Sequence, residues 1–241
     1  MKMKRSEKLG MLTGLVVGVL LLLISVFMIF QTTCKVWGAE KPANATQQGI
    51  DVSSHQGKID WEQVKNSALA DYAIIRCGYG VNQTDKDDKY WDYNSSECER
   101  LGIPYGTYLY SGADTTAKAK SEAEHVVRLL QGKNLTYPIY YDMEADMLNQ
   151  LSSTQIGNIA KTFLNTMESY GYKNVAVYSN KYLFETKLTA TVFSDYPKWI
   201  AQHSNKCTYR GSYHMWQYST QGVIPRNFKK KLNLNYKIRK L

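Results

Sequence analysis

Eight short runs rich in Tyr, Ile and Val recur along the chain, at 49–54, 71–80, 104–111, 138–145, 174–180, 197–203, 213–219 and 232–237. Each is bounded by Gly, Ser, Asn or Pro, the punctuation expected of strands. Stretches with apolar residues at helical spacing separate the first six, at 60–69, 89–101, 116–130, 153–170 and 181–188. In the third of these, Ala119, Ala123, Val126, Val127 and Leu130 share one face, and the fourth opens on Ser153 and stops at Gly171. Strand alternating with helix implies a parallel sheet. Eight strands suggest that the sheet closes. The expected fold is therefore α/β, an irregular TIM-like barrel of the form (β/α)5β3, with the last three strands lacking full helices. Chemistry in such a barrel gathers at the C-terminal strand ends.

The segment before the barrel constrains where it works. "LGMLTGLVVGVLLLLISVFMIF", residues 9–30, has no charged residue. As a helix it would extend about 33 Å, enough to cross a hydrocarbon core. A signal-peptide core is shorter, about 7–15 residues, so the expectation is an uncleaved transmembrane signal anchor, with secretion after signal cleavage as the alternative. Lys2, Lys4, Arg5 and Lys8 precede it. They mark 1–8 as a cytoplasmic basic stub and place the rest of the chain outside a single-pass cell membrane. Residues 31–48 are polar and aperiodic and read as a linker, leaving 49–241 as the folded domain. Gly10, Gly14 and Gly18 repeat every four residues, a spacing that would allow a weak homodimer.

The formal net charge of +9 is partly a C-terminal run, Arg226, Lys229, Lys230, Lys231, Lys237, Arg239 and Lys240. A basic surface suits nucleic acid, acidic lipid or anionic wall polymer. No zinc or RNA-binding motif accompanies it, so no nucleic-acid partner is expected. Cys34, Cys77, Cys98 and Cys207 lack CxxC spacing, which argues against a zinc site. Cys77 and Cys98 are open to either reading, a pair in an exported domain or two free core thiols.

"YYDMEAD", residues 140–146, concentrates three acids at the end of the fourth run. Strand alternation puts Asp142 and Glu144 on one face with Tyr140, and turns Tyr141 and Met143 away. Two close carboxylates repel, so at least one is expected to hold its proton above the usual range, able to act as a general acid while its partner stays ionised. Cleavage of a glycosidic bond needs such a pair. Asp51 lies near the end of the first run, on the same rim. Tyr79, Tyr110, Tyr178, Trp199, Gln202 and Trp216 fall at or near strand ends, where aromatic faces and an amide would suit sugar rings and N-acetyl groups. Alone, each equally fits core packing. His55, a lone histidine, is read as structural.

"GIDVSSHQGKIDW", followed by "IIRCGYG", "YGTYLYS", "YDMEAD", "VYSNKYLF", "WIAQ" and "WQYS", resembles glycoside hydrolase family 25, the lysozyme-type N-acetylmuramidases, from about Gly49 to Tyr236. The resemblance implies hydrolysis of the β-1,4 bond between N-acetylmuramic acid and N-acetylglucosamine in peptidoglycan glycan strands, with no metal or cofactor. It implies that Glu144 is the catalytic acid, that Asp142 orients or stabilises the 2-acetamido group, and that Asp51 lines the site. The family closes on a "DLNY"-like strand. This chain reads "LNLNY", with Asn233 in place of the acid.

That departure keeps a second reading open, a catalytically impaired wall-binding module of the same fold. A metal-dependent deacetylase using Asp51, Asp142 and His203 is a third, but the histidines lack the paired spacing of such a site.

Overall fold

The computed structural model describes residues 18–19, 39–67, 69–223 and 231–239. The expected stub and transmembrane segment, with Gly10 and Gly14, lie outside the described residues, as do Cys34 and the basic stretch 224–230. Of the expected anchor only Gly18 and Val19 are described, and both are helical. Gly38–Leu241 forms one compact unit.

Within it, β1 (Ala45–Val52), β2 (Tyr72–Tyr79), β3 (Tyr105–Tyr110), β4 (Ile139–Asp142), β5 (Val175–Asn180), β6 (Lys198–Ala201), β7 (Met215–Gly222) and β8 (Leu232–Ile238) form a closed barrel in chain order. Neighbours from β1 to β7 pair parallel, and β8 closes the ring antiparallel to both β7 and β1. The crossovers carry α1 (Trp61–Asn66), α2 (Trp91–Leu101), α3 (Thr116–Leu129), α4 (Ser153–Ser169), then the short α5 (Lys181–Thr186) and α6 (Val192–Asp195). The expected eight strands and five strand–helix units are all present.

Two boundaries differ. β1 starts at Ala45, inside the stretch read as linker, because Ala45, Gln47 and Gln48 pair with β8. Polar side chains there hid a strand whose partner lies almost 200 residues away in sequence. β4 stops at Asp142, so Glu144 sits just past the strand.

The barrel interior is a stack of aromatics: Tyr72, Tyr140, Tyr178 and Trp199, with Tyr108 packed against them. Gly49 makes room for this floor, since a Cβ there would lie 2.4 Å from the Tyr72 ring. Outward-facing residues bind the helices. Tyr141 stacks on Phe163 of α4 at 3.8 Å between ring centroids. Burying a Phe such as Phe163 contributes about 1.5–3 kcal/mol. Ser152 caps α4 with a reciprocal Gln155 bond, and Trp61 of α1 donates to Asn94 of α2 at 2.9 Å. Cys77 and Cys98 are both free and buried.

Candidate active site

Three carboxylates meet at the C-terminal end of the barrel strands. Asp51, on β1, is 3% exposed. Its antiparallel register puts it opposite Asn233 on β8. Asn233 donates Nδ2–H to Asp51 Oδ1 at 2.8 Å, and Asn235 and Gln217 each donate to Oδ2 at 2.8 Å. Burial pushes the Asp51 carboxyl above the usual carboxylate range, and the amides of Asn235, Asn233 and Gln217 offset part of that rise. The donors are themselves fixed. Asn235 accepts from Trp199 Nε1 at 2.8 Å. Gln217 Oε1 accepts from the Tyr178 hydroxyl at 3.1 Å and faces His203 Nε2 at 2.9 Å.

Asp142 is the opposite case. It is also 3% exposed, yet among the described residues no group donates to its Oδ1. Burial, then the charges of Glu144 and Asp51, push its carboxyl well above the usual range, against the pull of Arg76. Glu144 is half-buried at the rim. Burial and Asp51 raise its carboxyl, while His203 and a Tyr178 hydrogen bond oppose them. A rim carboxyl whose proton affinity is raised in this way can deliver a proton to a bound leaving group.

The aromatic candidates divide. Tyr110, Asp142 and Tyr178 lie side by side across β3, β4 and β5. Burial and the charges of Asp142 and Glu144 push the Tyr110 hydroxyl above its usual range. Tyr79 is 38% exposed at the end of β2, with Lys86 5.2 Å and Arg76 6.0 Å from its ring. Trp199 is 1% exposed and lies in the aromatic floor, with its Nε1 spent on Asn235.

Two candidates are not brought to the acids. Gln202 spends its amide on Thr208, at 2.9 and 3.0 Å, fastening the loop after β6. Trp216 is fully buried, with Nε1 donating to the Gln202 carbonyl at 2.8 Å and its ring packed against Tyr218 and Tyr236. The alternation that turns Gln217 inward to Asp51 turns Trp216 outward.

The sequence reading passed over Arg76, Gln217 and Asn235 as members of this site, and named His203 only as a ligand in the deacetylase reading. Two signals were available: an arginine inside the apolar run "IIRCGYG", and asparagines two apart in "LNLNY".

Comparison with known proteins agrees with this geometry. The profile for "Glycosyl hydrolases family 25" matches residues 50–226. An autolytic lysozyme of Clostridium acetobutylicum is 29% identical over 178 residues, 73% of this chain and 52% of that protein. The chain thus spans about half the length of that relative. The modular autolysin LytC of Streptococcus pneumoniae, solved with a synthetic peptidoglycan ligand, is 31% identical with a TM-score of 0.71, over 79% of this chain and 46% of that one. A family 25 glycosyl hydrolase of Bacillus anthracis, 20% identical, shares the fold with a TM-score of 0.71 over 83% of this chain and 93% of its own. With a buried carboxylate cluster at the rim of an eight-stranded barrel and a family profile covering most of its length, this chain belongs to glycosyl hydrolase family 25.

Proposed function

We propose that this protein is a peptidoglycan muramidase that hydrolyses the β-1,4 bond between N-acetylmuramic acid and N-acetylglucosamine. The observation that carries the proposal is the placement of a rim acid, Glu144, whose carboxyl burial and Asp51 push above its usual range, two residues from the buried Asp142, whose Oδ1 has no donor among the described residues. Glu144 protonates the leaving glycosidic oxygen. Asp142 receives the 2-acetamido N–H and supports that group's attack on the anomeric carbon, and water then opens the resulting ring. Asp51, fixed by its three amides, holds the negative field that keeps the proton on Glu144. Tyr110, Tyr178 and Tyr79 flank the sugar. The lysozyme and autolysin relatives support this substrate class.

The uncharged segment 9–30 and the basic residues before it support a single-pass membrane protein with its barrel outside. An enzyme tethered so cuts wall only within reach, which suits local remodelling or lysis.

Purified wall in a zymogram, followed by end-group analysis, tests the reading. New reducing ends on muramic acid are expected, with clearing lost in Glu144→Gln. New ends on glucosamine would assign another glycosidase. Binding without clearing by the unaltered protein would favour the wall-binding module that Asn233 raises.

A further inference from the structure

Asp51 owes its setting to side chains one layer further out. Two amides, from Asn235 and Gln217, meet its Oδ2 at 2.8 Å. An amide has a donating end and an accepting end, and the accepting end turned this way would set a carbonyl against a carboxylate. The orientation is decided by what lies at the other end of each amide. Gln217 Oε1 has two partners there, the Tyr178 hydroxyl at 3.1 Å and His203 Nε2 at 2.9 Å. Asn235 Oδ1 has one among the described residues, Trp199 Nε1 at 2.8 Å.

The indole is the strictest of these partners. It donates and cannot accept, whereas a hydroxyl or an imidazole can take either role. The Asn235 atom beside Trp199 is therefore the oxygen, and the nitrogen is left for Asp51. The indole is also fixed in direction. Trp199 is almost wholly buried. Its ring is held by Tyr178 at 4.4 Å, Tyr140 at 4.9 Å and Tyr108 at 6.2 Å between centroids. Asn235 is fully buried too, so an amide left unmatched there is costly. The titratable groups around Asp51 are Tyr72 on β2, Tyr108 on β3, Asp142 and Glu144 at the end of β4, Tyr178 on β5 and His203 after β6.

We infer that Trp199 is a positioning residue: its indole N–H fixes the Asn235 amide so that a nitrogen, never an oxygen, meets Asp51 Oδ2. Trp199 thus acts on the site through Asn235 and not as a platform for a sugar. This deepens the muramidase reading and rests on it for the consequence in turnover. With the N–H removed, Asn235 is free to turn and Asp51 loses a donor. Its carboxyl then rises further, because a hydrogen bond to the charged form favours that form. Gln217 differs, since losing one of its two outer partners leaves the other to hold it.

The test replaces Trp199 by benzothienylalanine, which keeps the shape of the double ring and puts sulfur where the N–H stands. Asp51 is followed by carboxyl-carbon NMR titration of the full chain in mild detergent, labelled at aspartate and assigned by its absence in Asp51→Asn. Its midpoint is expected to rise by about one unit. In parallel the acid limb of kcat moves up by a similar amount, with KM little changed. Tyr178→Phe, which takes one of two donors from Gln217, is expected to move the Asp51 midpoint less than about half as far. In Asn235→Ala the midpoint is already raised, and the replacement of Trp199 adds little to it. An unchanged midpoint, an equal further rise in Asn235→Ala, or an equal rise in Tyr178→Phe overturns the inference. Should Asn235→Ala not fold, hydrogen exchange of the Asn235 side-chain amide takes its place. Loss of protection is expected when the indole N–H is removed, and an amide as protected as before overturns the inference equally. If the unaltered protein fails to cut wall, the muramidase reading falls while the titration still decides the role of Trp199.

Discussion

Two buried carboxylates flank the same point of β4, one on each side, and they are opposites. Behind the strand, Glu122 of α3 accepts the Tyr141 hydroxyl at 2.6 Å, the Gly112 N–H at 2.7 Å and the Ser111 hydroxyl at 2.9 Å. In front of it, among the described residues, nothing donates to Asp142 Oδ1. Consecutive residues, Tyr141 and Asp142, point to these two environments. A buried acid supplied with donors fastens a helix to a strand. One denied them costs stability, and such a cost persists where a ligand supplies the missing bond.

Substitutions sharpen the contrast, and the largest effect belongs to the front. Asp142→Asn is expected to lower kcat by about 10²-fold or more, the scale of removing one positioned polar group at a reacting centre, while the melting temperature at pH 7.5 rises. Turnover on purified wall and a thermal melt check both halves. Glu122→Ala should reverse the pattern. It leaves three donors unpaired and costs about 1–3 kcal/mol or more in a urea melt, with kcat per folded molecule within a few-fold of the unaltered protein.

The sign of the pH dependence follows from the same pair. The Asp142 and Glu144 carboxyls sit above their unfolded values, so the folded state binds more protons than the unfolded one between the two. Their contribution to stability is fully present below the unfolded values, about pH 4, and is lost as pH rises through the folded ones. Asp87 and Glu99, held below their usual range, act in the other direction at lower pH. The stability of Asp142→Asn relative to the unaltered protein should therefore grow from pH 4 to pH 7.5. Urea melts at the two pH values, showing an equal gap, would break the comparison.

A smaller effect is expected from Asn233→Asp. It replaces a 2.8 Å donor to Asp51 with a second carboxylate. Added negative charge raises the proton affinity of Glu144, so the alkaline limb of the pH–rate profile should move up by about half a unit or more. A limb that stays or moves down would separate Asn233 from the acid's field. The smallest effect on turnover belongs to Trp216→Phe, which should leave kcat within about twofold and cost about 1–3 kcal/mol, because it removes the bond to the Gln202 carbonyl and part of a buried ring. A large loss of turnover would return Trp216 to the site.

The barrel was legible because each strand and helix carries its own period, and every expected run from 71 onward overlaps a strand of the structure. The acids were legible because they crowd into seven residues. What the sequence withheld is pairing at a distance. Asn235 and Gln217 look like ordinary polar residues until β8 closes against β1, and Arg76 looks like an intruder in an apolar run until Asp88 and Ser54 are seen around it. Trp216 misled for a related reason: a position near a strand end says nothing of which side of the sheet its ring takes, and a shift of one residue reverses it.

The closing of β8 onto β1 also fixes when the site can exist. Asp51 takes one amide from β7 and two from β8, and the partners on β8 lie 182 and 184 residues further along the chain. Contacts of that separation form late in folding, after loop closure has been met by other contacts. A nascent chain that has reached Gly222 has at most one of the three. The amide cradle that fixes Asp51 is therefore incomplete until β8 has docked, and the carboxylate is held on three sides only when the barrel has shut.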